Sequence, residues 1–118
     1  MRIGRAVLPG MSPLLEIRLF TLHPGTREEF DRISREGTIP LMRRHGITVI
    51  GHGPCANDDD GYVLLRAFPS EQARVEQSQA IYALPEWVDN YEKPIMGMIA
   101  DYRTAVLPLS LMPGFGRA

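Results

Sequence analysis

LLEIRLFTLHPGTREEFDRISREGTIPLMRRHG, residues 14–46, is the stretch that decides the fold of this 118-residue chain. Its first part alternates between two kinds of side chain, as a strand with two different faces does. A proline and a glycine at positions 24 and 25 mark a turn, and apolar residues then recur at helical spacing. Gly46 is suited to ending that helix. The stretch therefore predicts one strand, one tight turn and one long helix, which Pro40 interrupts.

Two strands carry two unlike faces. Residues 14–22 place small apolar side chains on one face and charged or aromatic ones on the other, and residues 62–68 do the same. We assign the small apolar set to the side that the helices cover. The predicted open face then carries Glu16, Arg18, Phe20, Tyr62, Leu64, Arg66 and Phe68.

The remaining chain completes a β-α-β-β-α-β order. Residues 47–53 and 62–68 predict a hairpin, Ser70 begins a second helix, Pro85 begins a further helical segment, and residues 102–107 predict the last strand. This is the ferredoxin-like arrangement, an α+β fold with helices on one face of an antiparallel sheet. We expect one domain over residues 14–108, with a flexible N-terminal tail at 1–13 and a C-terminal tail at 109–118. Met11 could be the native start.

The charge composition of the chain restricts the classes of partner that it could bind. Thirteen basic residues face 14 acidic ones, so the chain lacks the positive field that nucleic-acid or membrane-surface binding requires. No apolar run approaches the ~20 residues of a membrane span. The single cysteine, Cys55, cannot form an intramolecular disulfide, and we therefore expect a cytoplasmic protein.

The predicted open face is too apolar to remain in water. A second copy of the sheet could cover it, or RNA could, because aromatic and arginine side chains on an open sheet stack bases. The glycine-aromatic RNA-recognition pattern is missing, which favours the homodimer. The interface residues would be Glu16, Arg18, Phe20 and Phe68.

Four short motifs resemble the NIPSNAP family: LEIRLFTLHPGTREEFDR, PLMRRHG, PEW at 85–87, and VLPLS at 106–110. The resemblance implies a dimeric α+β barrel, in which the sheets of two copies face each other, and it brings no catalytic motif. The wider superfamily includes cofactor-free monooxygenases, heme-degrading enzymes and stress-response proteins. The heme-degrading members use an Asn, a Trp and a His at positions that this chain does not match, so we expect no cofactor.

Candidate chemistry rests on few residues. His45 and His52 are the candidate general bases, while Trp87, Tyr91, Tyr62 and Arg66 are the candidate ligand-binding residues. The consecutive aspartates 58–60 point apart in a turn, so we expect no metal site. Two functions stay open. One is binding of a small apolar molecule in a cleft near Trp87, Tyr91 and His45. The other is cofactor-independent catalysis, as a monooxygenase or isomerase, with a histidine base.

Overall fold

The computed structural model of the chain describes residues 12–114, so most of the predicted N-terminal tail lies outside the described residues. One antiparallel sheet has the strand order β2-β3-β1-β4. Its strands are β1 (Leu14–Leu22), β2 (Thr48–Pro54), β3 (Gly61–Phe68) and β4 (Ile99–Pro108). The helices are α1 (Arg27–Ile33), α2 (Ile39–Arg44), α3 (Glu71–Tyr82), α4 (Pro85–Asn90) and α5 (Glu92–Met98). The predicted α+β, ferredoxin-like fold is confirmed.

Pro40 shapes the long helix of the deciding stretch. Proline has no amide hydrogen to donate to the preceding turn, and the chain widens there into a π-turn at Ser34–Thr38. The N–H of Ile39 donates to the carbonyl of Ser34, five residues back. The extra residue rotates the following segment about the helix axis, and Ile39 is buried as a result.

Glycine, serine and proline mark the other boundaries. Gly25 and Gly46 adopt positive φ angles of 85° and 83°, in the turn before α1 and after α2. The Ser70 hydroxyl accepts a hydrogen bond from the N–H of Ala73 and caps α3. Pro85 opens α4 at a position where its missing N–H has no cost. Among residues 12–114, no helix combines the length and the apolar character that a membrane span requires.

The two faces of the sheet are the reverse of our assignment. The helices cover the face that carries the charged and aromatic side chains, and the small apolar side chains face outward. The covered residues are Glu16, Phe20, Leu22, Tyr62, Leu64, Arg66 and Phe68. The open face includes Leu15, Ile17, Leu19, Val63 and Leu65, with Ile17 opposite Leu65 and Ala105 in the register.

The small and polar side chains of α3 explain this reversal. Helix α3 fully buries only Ile81, packs the half-buried Tyr82 against the core and otherwise offers mostly small or polar residues, so it leaves space above the sheet. Long side chains rising from β1 and β3 fill that space instead. The residues predicted at a dimer interface are therefore placed incorrectly. Glu16, Phe20 and Phe68 lie under the helices, and Arg18 lies at the edge of the same covered face.

A buried ion cluster sits under α3. The carboxylate of Glu16 and the guanidinium of Arg66 are both fully buried, with 2.7 Å between Oε1 and Nη2 and a hydrogen bond of 2.8 Å from Nε. Arg74 donates to the other carboxylate oxygen at 3.1 Å. We expected Glu16 at a dimer interface. The pair exists within one chain, beneath its helices.

Candidate functional site

A cavity of about 980 Å³ lies between the covered face of the sheet and the helices. Its volume is at the upper end of the ~300–1,000 Å³ that small-molecule sites occupy. The sheet contributes Phe20 and Leu64 to its wall, and the helices contribute Trp87, Ile95 and Met96. These side chains make the cavity mainly apolar.

Trp87 forms part of the wall, as the sequence predicted, although it is buried. Its ring meets that of Tyr82 edge-on, with centroids 4.9 Å apart. Both residues line the cavity. Edge-to-face pairs stabilise packing by about 0.5–1.5 kcal/mol beyond the area they bury, so this contact helps to hold the wall together.

Tyr91 has a different position from the one we expected. It does not line the cavity, and its ring packs against the backbone of Gly37 in the π-turn. A Cβ atom at position 37 would lie 2.5 Å from Cε1 of Tyr91. Tyr91 lies between α4 and α5 and packs this junction against the π-turn that precedes α2. Its role is therefore structural.

His45 and Arg66 also lie away from the cavity lining. His45 is exposed and ends α2, where its N–H donates to carbonyls of the last turn. Arg66 is fully buried and turned toward Glu16, the Tyr82 hydroxyl and Ser78. Of the predicted site residues, His52, Tyr62 and Trp87 line the cavity, and these three converge from β2, β3 and α4.

His52 belongs to a chain of hydrogen bonds. Its Nδ1 lies 2.8 Å from the hydroxyl oxygen of Tyr62, and that hydroxyl donates to Oδ1 of Asp31 at 2.7 Å. The hydroxyl has one proton, and it is used in the hydrogen bond that Tyr62 donates to Asp31. The Tyr62 oxygen must therefore accept from Nδ1–H, which leaves the lone pair of His52 on Nε2. This order fixes the tautomer in which Nε2 is the basic atom.

The surroundings of these hydrogen-bonded groups favour the neutral form of His52. Burial lowers the pKa of His52 below its ordinary value, and the attraction of Asp31 opposes that change only in part. The hydrogen bond from Tyr62 lowers the pKa of Asp31, which holds it as a carboxylate. Burial and the bond to Asp31 raise the pKa of Tyr62, so its proton stays on the phenol. A neutral imidazole beside an apolar cavity is able to accept a proton.

Arg18, like Phe20, lines the cavity although we assigned it to the open face. Its Nη1 donates to the Tyr82 hydroxyl at 3.3 Å, and its guanidinium carbon lies 5.6 Å from the centre of the Tyr102 ring. Both tyrosines line the cavity with it. The sequence showed a charged strand residue but did not show which face the helices cover.

Asp31 escaped the sequence analysis for another reason. Its spacing to Arg35 is that of a solvent-exposed i,i+4 pair, and that pair is present at 3.3 Å. The second contact, to Tyr62, joins residues 31 positions apart and follows from the tertiary fold alone. No sequence signal identified it.

The turn after β2 holds no metal cluster. Arg27 donates to the carbonyls of Cys55, Asp58 and Gly61 and fixes this turn, an arrangement that the sequence did not reveal. Within residues 12–114, no three His, Cys, Asp or Glu side chains converge as metal ligands would. Cys55 is a free thiol.

Comparison with known proteins relates the chain to one family. The NIPSNAP family model matches residues 15–112, which is more than half of the chain. The chain resembles an uncharacterized NIPSNAP-like domain protein from Burkholderia xenovorans, at 22% identity and a TM-score of 0.77, over 87% of this chain and 90% of that one. A NIPSNAP family protein from Agrobacterium tumefaciens is similar at 15% identity and a TM-score of 0.75, over 86% and 90%.

A third structure extends the likeness in fold. A putative antibiotic biosynthesis monooxygenase from Nitrosomonas europaea has 14% identity and a TM-score of 0.65, over 86% of this chain and 93% of that one. No curated protein matches the chain significantly. The family match spans β1 to the end of β4 and includes every residue of the cavity described above. The chain belongs to the NIPSNAP family.

Proposed function

We propose that this protein binds a small, mainly apolar molecule in the cavity between its sheet and its helices. The observation that carries the proposal is the cavity itself, about 980 Å³ with a wall of aromatic and aliphatic side chains. Protein interiors normally close such spaces by packing. A cavity of this size beside a few convergent polar groups is the usual form of a ligand site.

A pair of tryptophan substitutions tests the proposal. Met96 lines the cavity and is 56% exposed, so Met96→Trp narrows the entrance without forcing a bulky ring into the core. Val88→Trp adds the same ring at a 46% exposed site on α4 that does not line the cavity. We expect polycyclic aromatic probes, measured by calorimetry, to bind the wild type and Val88→Trp equally, and Met96→Trp at least tenfold more weakly. Equal binding to all three proteins would contradict the proposal.

The hydrogen-bond chain of His52 favours a second function. A neutral imidazole with its lone pair on Nε2, at the wall of an apolar cavity, suits removal of a proton from carbon beside a carbonyl. In this alternative the protein is a cofactor-independent enzyme, a monooxygenase or isomerase, and His52 is its base. Tyr62 and Asp31 are positioning residues that hold the imidazole in the required tautomer.

Deuterium exchange separates catalysis from binding. An enolisable bicyclic ketone such as 2-tetralone is incubated with the protein in D₂O, and deuterium entering beside the carbonyl is followed by NMR. The catalytic function predicts exchange above the buffer rate for the wild type and loss of the excess in His52→Gln. His45→Gln, which changes an exposed histidine outside the cavity lining, serves as the control. Binding of the ketone without excess exchange would support the first function alone.

The open face of the sheet supports a homodimer as part of this proposal. Its small apolar side chains form one surface in which Leu19 is 37% exposed, and contiguous surfaces of this kind are typical of interfaces. A second copy placed face to face would cover them, as the family resemblance implies. The lone free thiol of Cys55 is compatible with the cytoplasmic location that the composition favours.

A further inference from the structure

We infer that the ligand of this cavity is a monoanion, an apolar body that carries one carboxylate which Arg18 binds. The inference rests on the proposed function, since it names the chemical class of the molecule in the same cavity. Three observations support it: the charge balance beneath the cavity, the hydrogen bonds of Arg18, and the surfaces that hold its guanidinium.

The charge balance leaves one guanidinium without its own carboxylate. Beneath the cavity, Arg66 forms its ion pair with Glu16 at 2.7 Å, and Arg74 donates to both oxygens of Glu71 at 2.8 Å. Arg18 reaches the already paired Glu16 only at 3.8 Å, beyond hydrogen-bond distance. Buried charges require partners, so this positive charge favours an anion from outside the cluster.

The hydrogen bonds of Arg18 are equally incomplete. Its Nε is buried and finds no hydrogen-bond partner in the part of the chain that the structure describes. Its one hydrogen bond there runs from Nη1 to the Tyr82 hydroxyl, at 3.3 Å. A guanidinium has five N–H donors arranged as a planar fork, which fits the two oxygens of a carboxylate. The buried Nε lies on the Glu16 side, 3.8 Å from its carboxylate, so the Nη donors that do not reach Tyr82 are the ones open to a ligand.

Arg18 is also held in place. Its side chain is 19% exposed, the Tyr82 hydroxyl accepts from one end, and the ring of Tyr102 lies 5.6 Å from the guanidinium carbon. A pre-oriented guanidinium loses little side-chain entropy when it binds an anion. Glu92 and Lys93 at the cavity entrance are solvent-exposed and carry opposite charges, so they do not reverse the positive balance inside.

The chemistry of the wall sets the rest of the ligand. The cavity is mainly apolar, and a single free guanidinium suits one negative charge better than the two of a phosphate monoester. A cation would meet Arg18 in a partly dry site and be repelled. The expected class is thus an aromatic or alicyclic carboxylic acid.

A pair of matched probes tests the inference on the full-length protein. Anthracene-2-carboxylate and anthracene-2-carboxamide have nearly the same shape and differ in charge. Calorimetric titration of the wild type should show the carboxylate binding at least tenfold more tightly than the amide. In Arg18→Gln this ratio should fall to about one, with the amide affinity changed less than twofold. Arg32→Gln, which removes an exposed guanidinium from α1, should keep the wild-type ratio.

Two further results keep the test decisive. If Arg18→Gln does not fold, Arg18→Lys replaces it, since the charge remains while the planar fork is lost; the preference should then fall to between twofold and fivefold. Equal binding of both probes to the wild type would overturn the inference and leave the cavity proposal standing. Failure of both probes to bind would overturn the cavity proposal and this inference with it.

Discussion

The two faces of the sheet differ in a way that reverses ordinary expectation. The covered face holds a fully buried glutamate and arginine, and the face left open holds small aliphatic side chains such as Ile17 and Leu65. Hydrophobic burial alone would place the aliphatic side chains under the helices. The difference shows that the packing of a layer depends on both of its surfaces. Here α3 offers mostly small or polar side chains, and long side chains of the sheet fill the space beneath it.

The two faces also differ in the features that they carry. The covered face contributes to the cavity, the ion cluster and the hydrogen bonds of His52, all within one polypeptide. The open face carries the aliphatic side chains of β1 and β3, with Asp101 and Arg103 of β4 beside them, and we propose that it contacts another copy. Side-chain chemistry is therefore concentrated on one side of a single sheet.

Removal of the Glu16 carboxylate should have the largest effect. Glu16→Ala leaves a buried arginine unpaired, and we expect a loss of ~3–5 kcal/mol in the free energy of unfolding, measured with urea. Glu71→Ala is the matched control because Glu71 also pairs with Arg74 but is 45% exposed, and it should cost less than ~1 kcal/mol. Similar costs for the two variants would mean that the covered face is not dry at Glu16.

A charge on the open face should separate the proposed dimer. Ile17→Glu is expected to weaken self-association about 100-fold, or about 2.8 kcal/mol at about 1.4 kcal/mol per tenfold change. Light scattering over a concentration series measures this. Val75→Glu introduces the same charge at a 40% exposed apolar site on α3 and should leave the dimer intact. A wild-type monomer at tens of micromolar, or an Ile17→Glu dimer, would contradict the proposal.

The sequence predicted the architecture better than the site. Periodicity, together with Pro24, Gly46, Ser70 and Pro85, located the strands and helices, because those signals are local. Alternation along β1 also separated its two faces correctly. It could not say which face the helices cover, since that depends on how small the side chains of α3 are across the interface. The interface assignment of Glu16 and Phe20 failed for that reason.

Contacts between distant residues explain what else the sequence missed. The cavity unites Arg18, His52 and Trp87 from three separate elements, and only the tertiary fold determines their distances. Asp31 carried a local signal that indicated a surface pair, and Tyr91 carried an aromatic spacing typical of a pocket wall. Each has a second, long-range partner, Tyr62 for Asp31 and Gly37 for Tyr91, which decides its role.

Glycine-to-alanine changes compare packing on the two sides. Gly37→Ala should destabilise the protein by ~1–2 kcal/mol, because the new methyl group meets the Tyr91 ring at 2.5 Å and this overpacking exceeds the gain in helix propensity. In Gly53→Ala the new methyl group projects from β2 toward the open face, where no atom of the described part of the same chain lies within 4 Å, and the stability of the single chain should change by less than ~0.5 kcal/mol. Thermal or urea unfolding measures both effects.

A second background makes this comparison sharper. In a Tyr91→Ala protein the obstructing ring is absent, so Gly37→Ala should become neutral or stabilise the helix by up to ~1 kcal/mol. The sign of the effect then depends on Tyr91 alone. A destabilisation that persists in this background would show that backbone geometry in the π-turn, rather than the ring, requires glycine at position 37.

The smallest expected effect concerns the protonation of His52. Burial against the covered face lowers the pKa of His52, and Asp31 raises it again through attraction. NMR titration of the imidazole should give a value below the ordinary ~6.5. Asp31→Asn keeps an acceptor for the Tyr62 hydroxyl but removes the charge, so the pKa of His52 should fall further. The exposed Asp89→Asn is the control and should leave the pKa unchanged.

The lowered pKa of His52 also determines how the free energy of unfolding depends on pH. The unfolded chain binds a proton on His52 more readily than the folded protein does, so the free energy of unfolding rises with pH across that window. The contribution of His52 is complete above the unfolded pKa of ~6.5 and decreases as the pH falls toward the folded value. His52→Gln should remove this part of the pH dependence and identify the imidazole signal. A His52 pKa above ~6.5 would mean that the attraction of Asp31 outweighs the effect of burial, and the argument for a neutral base beside the cavity would lose its physical basis.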